Sequence, residues 1–147
     1  MLGEHELAYD QLPDRVKEQI EGKVAVHSFV KVFGFRLSEE DREQKRKEFP
    51  DQLHPVVRTH PETGRRSLYV NRPFTMHIEG LEPDESARVL KVLYRQASVP
   101  QFQCRFRWQP GSVAQWDNRC TQHYAVPDFA GQHRRMERVT VEGDRPR

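Results

Sequence analysis

Along Trp116–Arg138, WDNRCTQHYAVPDFAGQHRRMER, His123 is followed after ten intervening residues by Arg134, and four positions later by Arg138. The segment from Arg134 to Val141, ending at Gly143, has the spacing of a strand, whose alternate side chains share a face. Arg134, Met136 and Arg138 then lie on one face, with Glu137, Val139 and Val141 opposite. Two guanidiniums on an inward face require anions, because an unpaired buried charge is costly. The planar five-donor fork of arginine suits carboxylate or sulfonate better than a lysine would. A neutral imidazole beside two such clamps is what a metal site with small anionic ligands requires. The stretch asks for a framework of strands.

The neighbouring sequence offers one. Phe102–Trp108 alternates strictly, with Phe102, Cys104, Phe106 and Trp108 on one face and Gln103, Arg105 and Arg107 on the other. Its arginines and aromatics point opposite ways, so this is a core-facing strand rather than a nucleic-acid-binding sheet. Pro110-Gly111 turns the chain into a further strand, Ser112–Trp116, and Asp117-Asn118 turns it again towards His123. His54–His60 and Ser67–Asn71 read as two strands joined by a turn around Pro61-Glu62-Thr63-Gly64. His54 and His60 have no third ligand nearby in the sequence and are read as structural. Short strands separated by Pro/Gly turns point to a jelly-roll sheet.

Helices flank these strands. Leu12, Val16 and Ile20 recur every four residues in Ala8–Gly22, which predicts one amphipathic helix with Pro13 in its first turn. Ser38–Phe49 has Ser38 as N-cap, acids early and bases late, and almost no apolar face, which predicts a solvated surface helix. Glu82–Ser98 is the clearest helix: Pro83 suits its first position, and Ala87, Leu90, Leu93, Tyr94 and Ala97 form the expected buried stripe. Between the first two helices, Val24–Phe35 is apolar and aromatic, with His27, Phe29, Phe33 and Phe35.

Composition excludes several functions. A net charge of +2 gives no case for nucleic acid. Two cysteines, Cys104 and Cys120, without a CxxC argue against a disulfide framework or structural zinc. No apolar run approaches a membrane span, and the cytoplasm is the default location. With 31% charged against 35% hydrophobic residues, the chain is polar for a compact domain, as a piece with a separate burial partner would be. Neither a G-x-S-x-G elbow nor an H-E-x-x-H pair supports a hydrolase.

HPVVRTHPETG at His54–Gly64 and WDNRCTQHYA at Trp116–Ala125, with the His-x10-Arg spacing, carry a resemblance. From about Tyr9 to Pro146 the chain resembles the TauD/TfdA family of Fe(II)- and 2-oxoglutarate-dependent dioxygenases. The resemblance implies a double-stranded β-helix, mainly β with flanking helices. It also implies that residues 1–147 are the C-terminal portion of one such domain, with N-terminal strands missing. His123 matches the distal histidine of the family's facial triad, a geometry that leaves iron positions open. Arg134 matches the arginine that pairs with the far carboxylate of 2-oxoglutarate. Arg138 matches the one that holds a sulfonate, and Phe33 and Phe74 match aromatics lining the substrate pocket. The other two triad ligands come from a His-x-Asp or His-x-Glu pair expected before Tyr9. The chain has no His-x-Asp, and its His60–Glu62 pair belongs to the HPETG turn.

Two function classes follow. The first is a dioxygenase that uses Fe(II), 2-oxoglutarate and O2 to hydroxylate a small anionic substrate, releasing succinate and CO2. An alkylsulfonate is expected, with an aryloxyalkanoate-like carboxylate as the competing substrate. The second is an inactive fragment or a half-domain that completes another chain. Unpaired strand edges and uncovered apolar faces would then favour self-association, so a homo-oligomer is possible.

Overall fold

The computed structural model describes residues 1–146 and opens on a strand that the sequence pattern does not announce, β1 (Leu2–Glu4). It runs directly into helix α1 (His5–Asp10). Glu4 caps that helix, its carboxylate accepting from the amides of Glu6 and Leu7 at 2.8 and 2.6 Å. Helix α2 (Asp14–Ile20) follows, so the single helix expected over Ala8–Gly22 is two. Pro13 lacks an amide hydrogen and disfavours helical geometry at Leu12, which breaks the run there. The apolar stripe survives the break, because Tyr9, Leu12 and Ile20 are all buried.

Strand β2 (Val24–His27) is the centre of an antiparallel sheet. Helix α3 (Phe29–Phe33) and the solvated helix α4 (Glu39–Glu48) lead from it to strand β3 (Gln52–Pro55). Ser38 caps α4 as expected, accepting from the Asp41 amide at 3.1 Å. A hairpin of β4 (Val57–Thr59) and β5 (Arg66–Leu68) comes next. Gly64 turns it at φ +70°, donating its amide to the His60 carbonyl at 2.9 Å. Strand β6 (Thr75–Ile78) then completes the order β3-β2-β6. Val56 joins this sheet to the hairpin. It is fully buried, its amide donates to Lys23 at 2.9 Å, and its carbonyl accepts from Tyr69 at 2.8 Å.

Helix α5 (Pro83–Gln96) covers the core. Its buried stripe is Ser86, Val89, Leu90 and Leu93, whereas Ala87 is exposed. Ser86 sets this roll: its Oγ accepts from the buried Ile78 amide at 2.8 Å, a bond that a hydrophobicity count does not register. The core itself gathers Ala8, Ile20, Ala25, Val56, Leu68, Ile78 and Leu93 from helices and sheets alike.

The last sheet joins distant ends of the chain, in the order β7 (Gln103–Cys104), β1, β8 (Thr121–His123). The expected strand at Phe102–Trp108 is paired only over β7, and Ser112–Trp116 and Arg134–Val141 form no strand. Alternation assigns faces, but a strand also needs a neighbour for its amides and carbonyls. Among the described residues those segments have none. Small antiparallel sheets with helices outside are the pieces of an incomplete jelly roll.

Candidate functional site

His123 lies on the wall of a cavity of about 740 Å³ that also includes His5, His27, His54, Tyr69 and Phe74. Two neighbours hold its strand. Leu2 pairs with His123 and Glu4 with Thr121, while the Gln122 side chain donates to the Val70 carbonyl at 3.0 Å. The imidazole is exposed, and its centroid is 5.4 Å from the Trp116 indole. Among the described residues no group hydrogen-bonds either ring nitrogen of His123, so a lone pair is free for a metal.

The turn before β8 is stapled to the β4–β5 hairpin. His60 Nδ1 faces the amides of Glu62 and Thr63, each at 3.3 Å. An amide can only donate, so Nδ1 accepts and the proton sits on Nε2, which donates to Asp117 Oδ2 at 3.2 Å. Arg119 clamps the same carboxylate through Nε at 3.0 Å and Nη2 at 2.7 Å, and reaches Glu62 at 2.7 Å. The Arg119 bonds, with that of His60, hold the Asp117 carboxyl far below the usual carboxylate range. His60, Asp117 and Cys120 place ligand atoms within 4.8 Å of one another. They still do not fit a metal, because a neutral imidazole that accepts at Nδ1 has no lone pair left on Nε2. The His-x-Glu spacing at His60 is therefore structural. A further His-x-Glu, His77–Glu79, forms an exposed pair at 3.6 Å at the end of β6 and just beyond it, and does not line the cavity.

Three more histidines shape the cavity. His27 and His54 meet edge to face at 5.0 Å, and Tyr69 stacks on His27 at 6.2 Å. Burial, and then the neighbouring His54, push the His27 pKa down to about 4. Burial lowers His54 as well, helped by Arg145 and Arg58. His5 Nδ1 donates to the Leu68 carbonyl at 2.8 Å, which leaves a buried Nε2 lone pair without a partner. Burial lowers its pKa too. Sequence reasoning does not place His5 and His27 here, since isolated histidines carry no spacing signal.

Of the two expected pocket aromatics, Phe74 lines the cavity, and Phe33 packs against it at 6.1 Å while half exposed. Phe29 and Phe49, 4.5 Å apart, also line the cavity, although the sequence gives no sign of that role. The arginines lie elsewhere. Residues 131–145 are exposed, so Arg134 and Arg138 do not share a buried strand face, and neither lines the cavity. The guanidinium of Arg134 sits 5.1 Å over the Phe129 ring. Among the described residues no carboxylate pairs with Arg134 or Arg138.

Comparison with known proteins gives concordant matches. A family model described as "Taurine catabolism dioxygenase TauD, TfdA family" matches residues 6–140. An alkylsulfatase of Acinetobacter baylyi is 38% identical over 146 residues, covering 95% of this chain and 46% of the relative. An alpha-ketoglutarate-dependent sulfate ester dioxygenase of Pseudomonas putida is 37% identical, covering 95% of this chain and 48% of the relative. A solved structure from Burkholderia xenovorans, a putative alpha-ketoglutarate-dependent taurine dioxygenase by its description, superposes with a TM-score of 0.68. It is 35% identical and covers 82% of this chain and 38% of that one. Such neighbours have the jelly-roll fold, and this chain spans about half the length of the curated relatives it matches.

Proposed function

The chain belongs to the TauD/TfdA family of dioxygenases, and from that membership we propose that it supplies the C-terminal part of a 2-oxoglutarate-dependent dioxygenase site for a small alkyl sulfonate or sulfate ester. Similarity to an alkylsulfatase and a sulfate ester dioxygenase supports that choice. When bound, Fe(II) with 2-oxoglutarate and O2 supplies the hydroxylating chemistry, with succinate and CO2 as by-products.

The residues of this chain bind and orient. His123 would give one neutral imidazole to the metal. Arg134 would take the far carboxylate of 2-oxoglutarate and Arg138 the sulfonate or sulfate oxygens, bidentate pairings suited to a guanidinium. Phe74, backed by Phe33, would exclude water from the short alkyl part. The observation that carries this reading is the free imidazole of His123, held by β8 on the cavity wall.

A half-domain reading for the chain by itself has its own support: the resemblance assigns these residues a single triad ligand, His123. One imidazole cannot hold Fe(II) tightly against water, so the purified 147-residue chain is expected to show no succinate formation. Fusion or co-expression with a segment bearing a His-x-Asp pair should restore 2-oxoglutarate turnover stimulated by alkyl sulfonates, and His123→Ala should abolish it. Turnover that survives His123→Ala would defeat the proposal.

A further inference from the structure

We infer that Arg58 and His60 are a pair of positioning residues that pin the two ends of the segment running from Asp117 to Asp144. This rests on the reading above, since that segment carries His123, Arg134 and Arg138. Arg58 and His60 are alternate residues, in the middle of β4 and just beyond it, and share a face. They are 3% and 5% exposed, while Thr59 between them points to solvent. Each buried polar group needs a partner, and each finds a carboxylate far along the chain. His60 donates to Asp117 across 57 positions. Arg58 Nη2 donates to Asp144 Oδ1 at 2.9 Å across 86.

The two anchors act on different ends. Asp117 and Arg119 form the turn that feeds β8, so the His60 bond sets where Trp116 and His123 stand. Asp144 follows the exposed segment of Arg134 and Arg138, which has no strand partner among the described residues. Closing that segment onto Arg58 removes much of its conformational freedom. The burial of Arg58 makes the closure selective. Its guanidinium lies 5.4 Å over the Tyr69 ring with Nε unpaired, and Asp144 is its one carboxylate among the described residues. Tyr69 in turn contacts His27 and His54, which links the Arg58 anchor to the cavity wall.

Nuclear magnetic resonance on the full chain tests this without metal or substrate, so the result is independent of the dioxygenase reading. Asp144→Asn should lower the backbone order parameters of residues 134–145 towards the flexible range, below about 0.6, and leave the Trp116–His123 ring contact intact. His60→Ala should do the reverse, erasing the nuclear Overhauser contacts between the Trp116 and His123 rings without loosening residues 134–145. The conservative variants Asp144→Glu and His60→Gln should each rescue their own end. If His60→Ala fails to fold, Asp117→Ala serves in its place. The inference is overturned if residues 134–145 keep their order in Asp144→Asn, or if the ring contact survives in a folded His60→Ala or Asp117→Ala chain. Loosening of both ends by either variant would also overturn it, as a sign of general destabilisation.

Discussion

The Trp116 indole and the His123 imidazole stand 5.4 Å apart at an interplanar angle of 50°, across the turn that begins β8. The indole nitrogen is already committed, donating to Asn118 Oδ1 at 2.9 Å. Trp116 is therefore a fixed reporter beside a free ligand. Co(II) should quench Trp116 fluorescence weakly, at millimolar concentration, in a Trp108→Phe background that leaves it the only indole. His123→Ala should remove the quenching. Equal quenching in the variant would place the metal elsewhere.

In a complex or fusion that contains the remaining iron ligands, Arg134 and Arg138 should separate two binding events. They are four residues apart, roughly 13 Å along an extended chain, which is too far to clamp one small carboxylate together. Arg134→Ala is expected to weaken 2-oxoglutarate by about 2–5 kcal/mol, the cost of an anion left unpaired. Arg138→Ala should instead weaken the sulfonate-bearing ligand and leave 2-oxoglutarate nearly unchanged. Titration calorimetry of both ligands against both variants decides, and equal damage to 2-oxoglutarate affinity would refute the division of roles.

Stability should fall in mild acid through the cavity histidines. His27, His54 and His5 all have folded pKa values below the ordinary 6.5, and that of His27 is about 4. Between those limits the unfolded chain binds more protons than the folded one, so stability rises with pH there. The contribution is complete above pH 6.5 and is lost progressively towards pH 4. For His27 the loss is of order 2–3 kcal/mol. Urea titrations from pH 4.5 to 7.5 should show this slope, and His27→Asn should flatten part of it. A pH-independent midpoint would contradict the burial argument.

Ser86→Ala should cost about 1–3 kcal/mol, because it strands the buried Ile78 amide without an acceptor. Ala87→Ser, one position along on the exposed face, should cost within about 0.5 kcal/mol. Leu93, fully buried in the core, should cost about 2–5 kcal/mol on truncation to alanine. Denaturant midpoints would rank the three. A larger loss for Ala87→Ser than for Ser86→Ala would restore the stripe expected from hydrophobicity alone.

Local signals in the sequence determine much of this chain. Ser38 and the charge order behind it mark α4, Pro83 marks the start of α5, and Gly64 closes the His60–Gly64 turn. Each depends on residues within one or two turns of the backbone, and the family resemblance points to His123 and Phe74, both on the cavity wall. The tertiary structure decided whatever needs a distant partner. β1 pairs with β8 through Leu2 and His123, Pro13 splits a helix whose stripe the core still buries, and Ser86 turns α5 towards Ile78. It also decided against a strand at Arg134–Val141, whose alternation is plain but whose amides have no neighbouring strand among the described residues. A side-chain period is a property of the segment, whereas a ladder of hydrogen bonds or an Arg58–Asp144 pair exists only when two remote segments meet.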